Sequence, residues 1–281
     1  MTPIEAQIRS VLDAASNDEG VEFKEEWIEE AGEQFKAALR KQFSPQSREF
    51  RLRMSNIGRP LCQLQMEKSG AKKQRMPYNH VVRMLIGDSV EAIVRFVIKA
   101  ADVNVTSDGD KVVLETAGER IKGESDLDID GKAYDIKSCS PWAFKNKWLK
   151  GYDEVRAKDD FGYVGQLYGY ADAQGKDLGG WVVVDKSSGE IAVVEVEDTV
   201  SQQKEIRKQR EETVKAVVND APFRRCFEAI PEVYRKVPTG RKTLPKNCTL
   251  CSFLHACWPE ARQEEKECST ARNKPLEWYV D

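Results

Sequence analysis

Asp126, Asp135 and Lys137 are the side chains whose types and spacing could do chemistry together. They lie in Gly123–Ser138, which reads GESDLDIDGKAYDIKS. The stretch alternates like a β-hairpin, with Leu127, Ile129, Ala133 and Ile136 among polar residues and Asp130-Gly131 supplying a type I′ turn. Asp135 and Lys137 stand two apart, so on a strand they share a face, and folding back across the turn brings Asp126 to the same patch. Two carboxylates and an ammonium make a poor core. They suit a hard divalent cation with a water beside it. A solvated hairpin carrying an ordinary ion pair would show the same D-x-K, so the rest of the chain decides between the two.

Two helical segments offer more. The apolar run from Asn79 to about Ala101 predicts a helix whose apolar side is Val82, Leu85, Ile86, Val90, Ile93, Val94 and Val97. Gly87 lies one turn before Glu91 within it, where a glycine lets another backbone approach and Glu91 could be a third acid. His80 reads as a polar residue at the helix start. Around Tyr163–Ala173 a second helix carries Gln166 and Tyr170 at i and i+4, hence on one face. Between hairpin and helix, Ser140–Lys150 mixes Trp142, Phe144 and Trp148 with Lys145, Lys147 and Lys150, a composition that either stacks on bases or packs on a core.

The seven cysteines form the other chemical signal. Cys248, Cys251 and Cys257 are spaced C-x2-C-x5-C, a step that presents thiolates to one ion. A fourth ligand is needed. Cys62, far upstream, is one candidate; Cys268 and His255 are local alternatives that would make a zinc site. Cys139 and Cys226, the latter expected in a helix, read as packing residues. The odd count and an N-terminus without a signal-peptide pattern point to ligation rather than disulfides and to a cytoplasmic setting.

The elements that must position these groups follow from composition and pattern. With 281 residues, 40% hydrophobic and 32% charged, the chain can bury a core, and no apolar run approaches a membrane span. A net charge of −3 leaves any nucleic-acid partner to local basic patches. Residues 1–50 read as a helical region: Ile4, Ile8, Val11 and Leu12 form one stripe, and Phe23, Trp27, Ala31, Phe35 and Leu39 a second. Asn17–Gly20 breaks them and Ser44–Ser47 forms a turn. This region reads as an appendage without chemistry. Residues 51–78 carry Cys62 and the basic cluster Lys72, Lys73 and Arg75. Residues 79–200 hold the acidic hairpin and a second one, GGWVVVDK and EIAVVEVE about a Ser-Ser-Gly turn. Residues 201–281 hold a charged helix (Thr199 to Asn219), a basic loop with Arg235, Lys236, Arg241, Lys242 and Lys246, and the cysteines. Strands alternating with helices predict an α/β fold.

In this order the pieces resemble the PD-(D/E)xK nuclease superfamily, and within it the RecB-type and CRISPR-associated exonucleases with a four-cysteine iron–sulfur cluster, phage relatives included. The residues carrying the resemblance are Gly87-x3-Glu91, Gly123-x2-Asp126, Asp135-x-Lys137, Gln166-x3-Tyr170, and Cys248-x2-Cys251-x5-Cys257 with Cys62 upstream. The resemblance implies a restriction-endonuclease-like core, a mixed central sheet flanked by helices, with a C-terminal iron–sulfur clasp. It makes Glu91, Asp126, Asp135 and the Ile136 carbonyl ligands of Mg²⁺ or Mn²⁺. Lys137 becomes the residue that orients or deprotonates water, with a lowered pKa beside the cation, and Gln166 and Tyr170 the face that aligns site and strand. Cys62, Cys248, Cys251 and Cys257 become ligands of a [4Fe–4S] cluster. It implies DNA hydrolysis from ends or single strands, in company with a recombinase, a single-strand-annealing protein or a helicase, since a Walker GxxxxGK[ST] is missing from the sequence. The alternative from the residues alone is a non-catalytic nucleic-acid-binding protein with a C-terminal zinc site.

Overall fold

The structure is a computed structural model that describes residues 1–45 and 49–280. The expected Ser44–Ser47 turn straddles that limit: Ser44 caps the helix before it, while Gln46 and Ser47 lie outside the described residues.

The acidic hairpin is the centre of the fold. Asp130 and Gly131 both take positive φ, 51° and 75°, so the expected mirror-image turn forms. With strands and helices numbered in chain order, it joins β4 (Leu127–Ile129) to β5 (Lys132–Cys139). The hairpin is shorter than expected. Gly123 belongs to a separate ribbon, β2 (Lys111–Thr116) with β3 (Glu119–Glu124), and Asp126 sits in the short link between ribbon and hairpin. On its outer edge β4 pairs with β1 (Val105–Asp108). On the inner side β5 runs parallel to β6 (Asp177–Asp185), which turns back antiparallel into β7 (Ile191–Glu195). The result is a mixed five-stranded sheet, β1-β4-β5-β6-β7.

Strand alternation gives this sheet two apolar faces. Tyr134, Ile136, Val182, Val184, Ile191 and Val193 meet helices α1 (Pro3–Ser16) and α4 (Asn79–Ala100) on one side. Ala133, Cys139, Trp181, Val183, Ala192 and Val194 meet α5 (Pro141–Asn146), α6 (Tyr152–Ala157) and α7 (Tyr163–Gln174) on the other. Asp135 and Lys137 alternate with Tyr134 and Ile136, so they belong to the α7 side. Phe144 and Trp148 are core and Trp142 is exposed, which resolves the aromatic-basic stretch as largely a packed one.

The N-terminal helices differ from the expected appendage. Ile4 and Ile8 of α1 are buried against the sheet, and Glu5 accepts the Val193 N–H at 3.3 Å. Helix α2 (Glu25–Phe43) packs antiparallel on α4, tied by Lys99 to Glu30 at 2.5 Å and by Lys41 and Gln42 to Asp88, each at 2.9 Å. Only the second half of α4 reaches the sheet, so Val94, Val97 and Ile98 are buried while Val82, Ile86 and Ile93 of the expected apolar side stay exposed.

After β7 the chain enters α8 (Val200–Val218), whose Thr199 and Gln202 form a capping box. The expected basic loop is instead a hairpin, β8 (Ile230–Tyr234) and β9 (Val237–Thr243), turning at Arg235 and Lys236 with φ of 49° and 69°. Two single turns follow, α9 (Lys246–Thr249) and α10 (Leu254–Cys257). Then β10 (Arg262–Glu265) and β11 (Leu276–Val280) complete a second sheet, β10-β11-β9-β8. Helix α3 (Leu61–Lys68) carries Cys62. No described helix is long and apolar enough to cross a membrane.

Candidate active site

Asp135 is the innermost group of the acidic centre. It is fully buried on β5, and its Oδ2 is ion-paired with the Lys137 ammonium. Burial drives its pKa up, Lys137 opposes the rise, and neighbouring Asp126 adds to it, leaving the group well above the usual carboxylate range. Asp126 is pinned where the ribbon meets the hairpin: its Oδ2 accepts the Ile136 N–H at 2.8 Å. Glu91 reaches in from α4, and its pKa is likewise raised, by burial first and by Asp126 next, against the pull of Arg95. Glu91 and Asp135 thus resist ionisation even with Arg95 and Lys137 beside them.

Lys137 departs from expectation. Burial disfavours its ammonium, yet Asp135 and Asp126 outweigh burial and hold it above the ordinary lysine range. The lowered pKa implied by a cation alongside is therefore not a property of these residues by themselves. The ammonium lies 5.2 Å over the Tyr163 ring and donates to the Ile136 carbonyl at 3.3 Å.

Helix α7 brings the expected pair. Gln166 donates to the Tyr170 hydroxyl at 3.3 Å, and Tyr170 feels Asp126 and Asp135. Gly123 makes room for it: a Cβ there would lie 2.3 Å from Met54 Cγ and 3.2 Å from the Tyr170 ring. Gly87 has no comparable role. A Cβ would meet only Ser138 Oγ at 3.6 Å, an ordinary contact, so the expected close backbone approach is absent.

Two contributors belong to no motif in the sequence. Arg95, buried at 5% exposure, is one turn after Glu91 and pairs with it at 3.0 Å, with Asp126 at 3.7 Å and with Asp108. Its only sequence signal is the i, i+4 spacing from Glu91. Helix α2 is the other. Gln34, Ala37, Ala38 and Lys41 face Glu91, Arg95 and Asp126 across a cleft of about 500 Å³.

The cysteine end gathers separately. Helix α3 docks on the end of α8 through Gln65 to the Ala221 carbonyl at 2.8 Å and Lys68 to the Val217 carbonyl at 2.6 Å. That places Cys62 beside Cys226, whose Sγ accepts the Cys62 N–H at 3.1 Å. Cys226 is thus neither helical nor a packing residue; it lies exposed in the irregular segment after α8. Donation from Cys62 brings Cys226 down to about 6, while the same contact and burial raise Cys62. Burial pushes Cys248 up to about 11, and Cys251 and Cys257 upward as well. Cys268 is elsewhere, donating to Glu232 at 3.6 Å, and His255 sits edge-on to Trp278 at 5.2 Å. Cys139 is buried in the core, as expected of a packing residue.

The donor chemistry fits the groups expected. Buried carboxylate oxygens suit a hard divalent cation, and thiols suit a thiophilic ion or an iron–sulfur cluster. Among the described residues no three His, Cys, Asp or Glu side chains are already closed about one ion.

No protein-family model matches the chain, and neither does any curated protein. Among solved structures there is a likeness to a chain described as the crystal structure of SSO0001, at 13% identity over 80% of this chain and 94% of that one, with a TM-score of 0.45. An overlap this loose carries no argument.

Proposed function

We propose that this protein is a Mg²⁺- or Mn²⁺-dependent deoxyribonuclease of the PD-(D/E)xK kind, cutting phosphodiester bonds from DNA ends or single strands, with a [4Fe–4S] cluster at the cysteine end. The observation that carries this is Asp135. A fully buried carboxylate, ion-paired to Lys137 and crowded by Asp126, is costly to ionise and suits service to a cation.

Glu91, Asp126, Asp135 and the Ile136 carbonyl would hold the metal, which when bound neutralises charge on the phosphate and lowers the pKa of a water. The remaining work belongs to the chain. Lys137, kept charged by its two carboxylate neighbours, donates hydrogen bonds that orient water and phosphate oxygen; it is a positioning cation rather than a base. Arg95 holds Glu91 and Asp126 toward each other. Gln166 braces Tyr170, which borders the acids from the α7 side. Exposed Trp142, with Lys246 4.7 Å from its ring, offers a base-stacking and phosphate-binding flank.

Incubating end-labelled single- and double-stranded DNA with the protein in Mg²⁺, Mn²⁺ or EDTA tests the reading. Metal-dependent release of labelled nucleotides is expected, and intact DNA in both metals would end it. The zinc-site binder is less favoured, because Cys268 is engaged with Glu232 rather than with the cysteine loop.

A further inference from the structure

We propose that the outer face of the β2–β3 ribbon, with the segment at residues 51–53 beside it, is a groove for the sugar–phosphate backbone of DNA that leads to the acidic centre. The inference rests on the nuclease reading for what the strand does there, and adds where the uncut part of it lies.

The groove follows from strand alternation. On the ribbon's inner face Val112, Leu114 and Ile121 pack into a small core with Met54, Tyr170 and Val214 of α8. Lys111 and Val113 of β2 and Arg120 and Lys122 of β3 alternate with them and take the outer face. Residues 51–53 run beside β3, with Arg53 bridged to Lys122 in parallel and the Met54 N–H donating to the Lys122 carbonyl at 3.3 Å. Buried Asn56 fixes this segment, accepting the Arg53 N–H at 2.8 Å and donating to the Arg51 carbonyl at 3.2 Å. Arg51 and Arg53 stay exposed on either side of half-buried Leu52. Segment and ribbon together line a cavity of about 680 Å³.

Charge decides what this groove takes. Arg51, Arg53, Lys111, Arg120 and Lys122 line it against one acid, Glu124, in a chain whose net charge is −3. Among the described residues, only Arg120 of these cations has an ion pair, with Glu115 at 3.5 Å. Arg53 and Lys122 stand opposite each other on neighbouring backbones, where like charges repel. That arrangement costs stability unless an anion lies over it, and a nucleic-acid strand supplies one negative charge per nucleotide. Arg120 and Lys122, two residues apart on β3, are spaced about 7 Å along it, an interval similar to that between successive phosphates of an extended strand. Leu52 and Val113, apolar among the cations, suit the deoxyribose rings.

The groove ends at the acids. Glu124 lines both it and the cleft that holds Glu91, Arg95 and Asp126. The join is braced: the Ser125 N–H donates to the Asp110 carbonyl at 2.9 Å and the Gly109 N–H to the Asp126 carbonyl at 3.3 Å. Carboxylates repel a phosphate, so cations next to them hold the strand where its scissile bond meets the centre.

Fluorescence anisotropy of a labelled single-stranded oligonucleotide, titrated with the full chain in EDTA over a salt series, tests the groove apart from cleavage. Arg53→Gln with Lys122→Gln should weaken binding about tenfold and lower the slope of log affinity against log salt by about 1.4, two contacts at about 0.7 each. Arg51→Gln with Lys111→Gln should do the same, so one misfolded variant cannot decide the result. Lys204→Gln with Lys208→Gln, on α8 under the ribbon's other face, removes equal charge and should leave affinity within about twofold. Wild-type affinity and salt slope in both groove variants, an equal loss in the α8 variant, or a wild type that does not bind DNA at low salt overturns the groove. So does a loss confined to vesicles of anionic phospholipid run beside the oligonucleotide, which would make the surface a membrane contact. Groove variants that lose DNA binding, with a wild type that binds DNA but never cleaves it in Mg²⁺ or Mn²⁺, uphold the groove and overturn the nuclease reading.

Discussion

The acidic centre and the cysteine site are built in opposite ways. Asp135 and Lys137 are neighbours on one strand, locked by a ladder to β6 on one side and by the β4 turn on the other. Glu91 and Arg95 are one turn apart on one helix, as are Gln166 and Tyr170 on another. Every contributor but Asp126, which lies in the link between β3 and β4, comes from a regular element with its geometry set locally. The cysteines come from single turns and irregular chain, and Cys62 meets Cys226 only because α3 docks on the end of α8. Rigid elements place groups for chemistry; on the proposed reading, a metal or cluster would order the cysteine loops.

The sharpest way to break this contrast is at Asp135. Asp135→Asn should cut DNA cleavage by about 10³-fold or more. Cleavage by that variant at wild-type rates would detach Asp135 from the metal. Lys137→Ala should lose cleavage by about 10²- to 10⁴-fold yet keep DNA and Mn²⁺ binding in filter and calorimetric assays, and it should melt earlier because Asp135 is left unpaired. Arg95→Ala should weaken Mn²⁺ binding about tenfold, with Arg95→Lys recovering part of it; an unchanged Mn²⁺ titration would confine Arg95 to packing.

Cys248→Ser should show the reverse profile, with loss of bound metal and solubility larger than loss of turnover per folded molecule. A soluble, metal-free variant with full stability would refute the staple. The smallest effect is in pH. Glu91 and Asp135 titrate above their unfolded values, so between the two the native state binds more protons and stability falls as pH rises through that window. Thermal melts in EDTA should therefore decline with rising pH more steeply for wild type than for Asp135→Asn, and Mn²⁺ should shrink the difference.

What the sequence made legible follows the same division. The Asp130-Gly131 turn, the helix beginning at Thr199 and the i, i+4 Gln166–Tyr170 pair are local, and a few residues suffice to specify each. Arg95 was hidden because an arginine in an amphipathic helix ordinarily faces solvent, and its burial depends on Asp108 arriving from β1. Arg235 and Lys236 turn a hairpin with positive φ that their side chains disfavour, so pairing of β8 with β9 imposes it. Cys226 lacked any periodic frame: it meets Cys62 from far upstream, and its neighbour Arg225 bonds the Cys257 carbonyl.

The docking of α3 on the end of α8 also bears on chain entropy. A metal bridge from Cys62 to Cys248 would close a loop of 186 residues (248 − 62), whereas one from Cys226 closes 22 (248 − 226). The two differ by about three doublings of loop length, so the longer closure would restrict the unfolded chain by about 2 kcal/mol more. With Cys62 as ligand, as the resemblance implies, that restriction would add to the bonds that already hold this segment, Gln65 and Lys68 to the end of α8 and Gln74 to the Cys251 carbonyl.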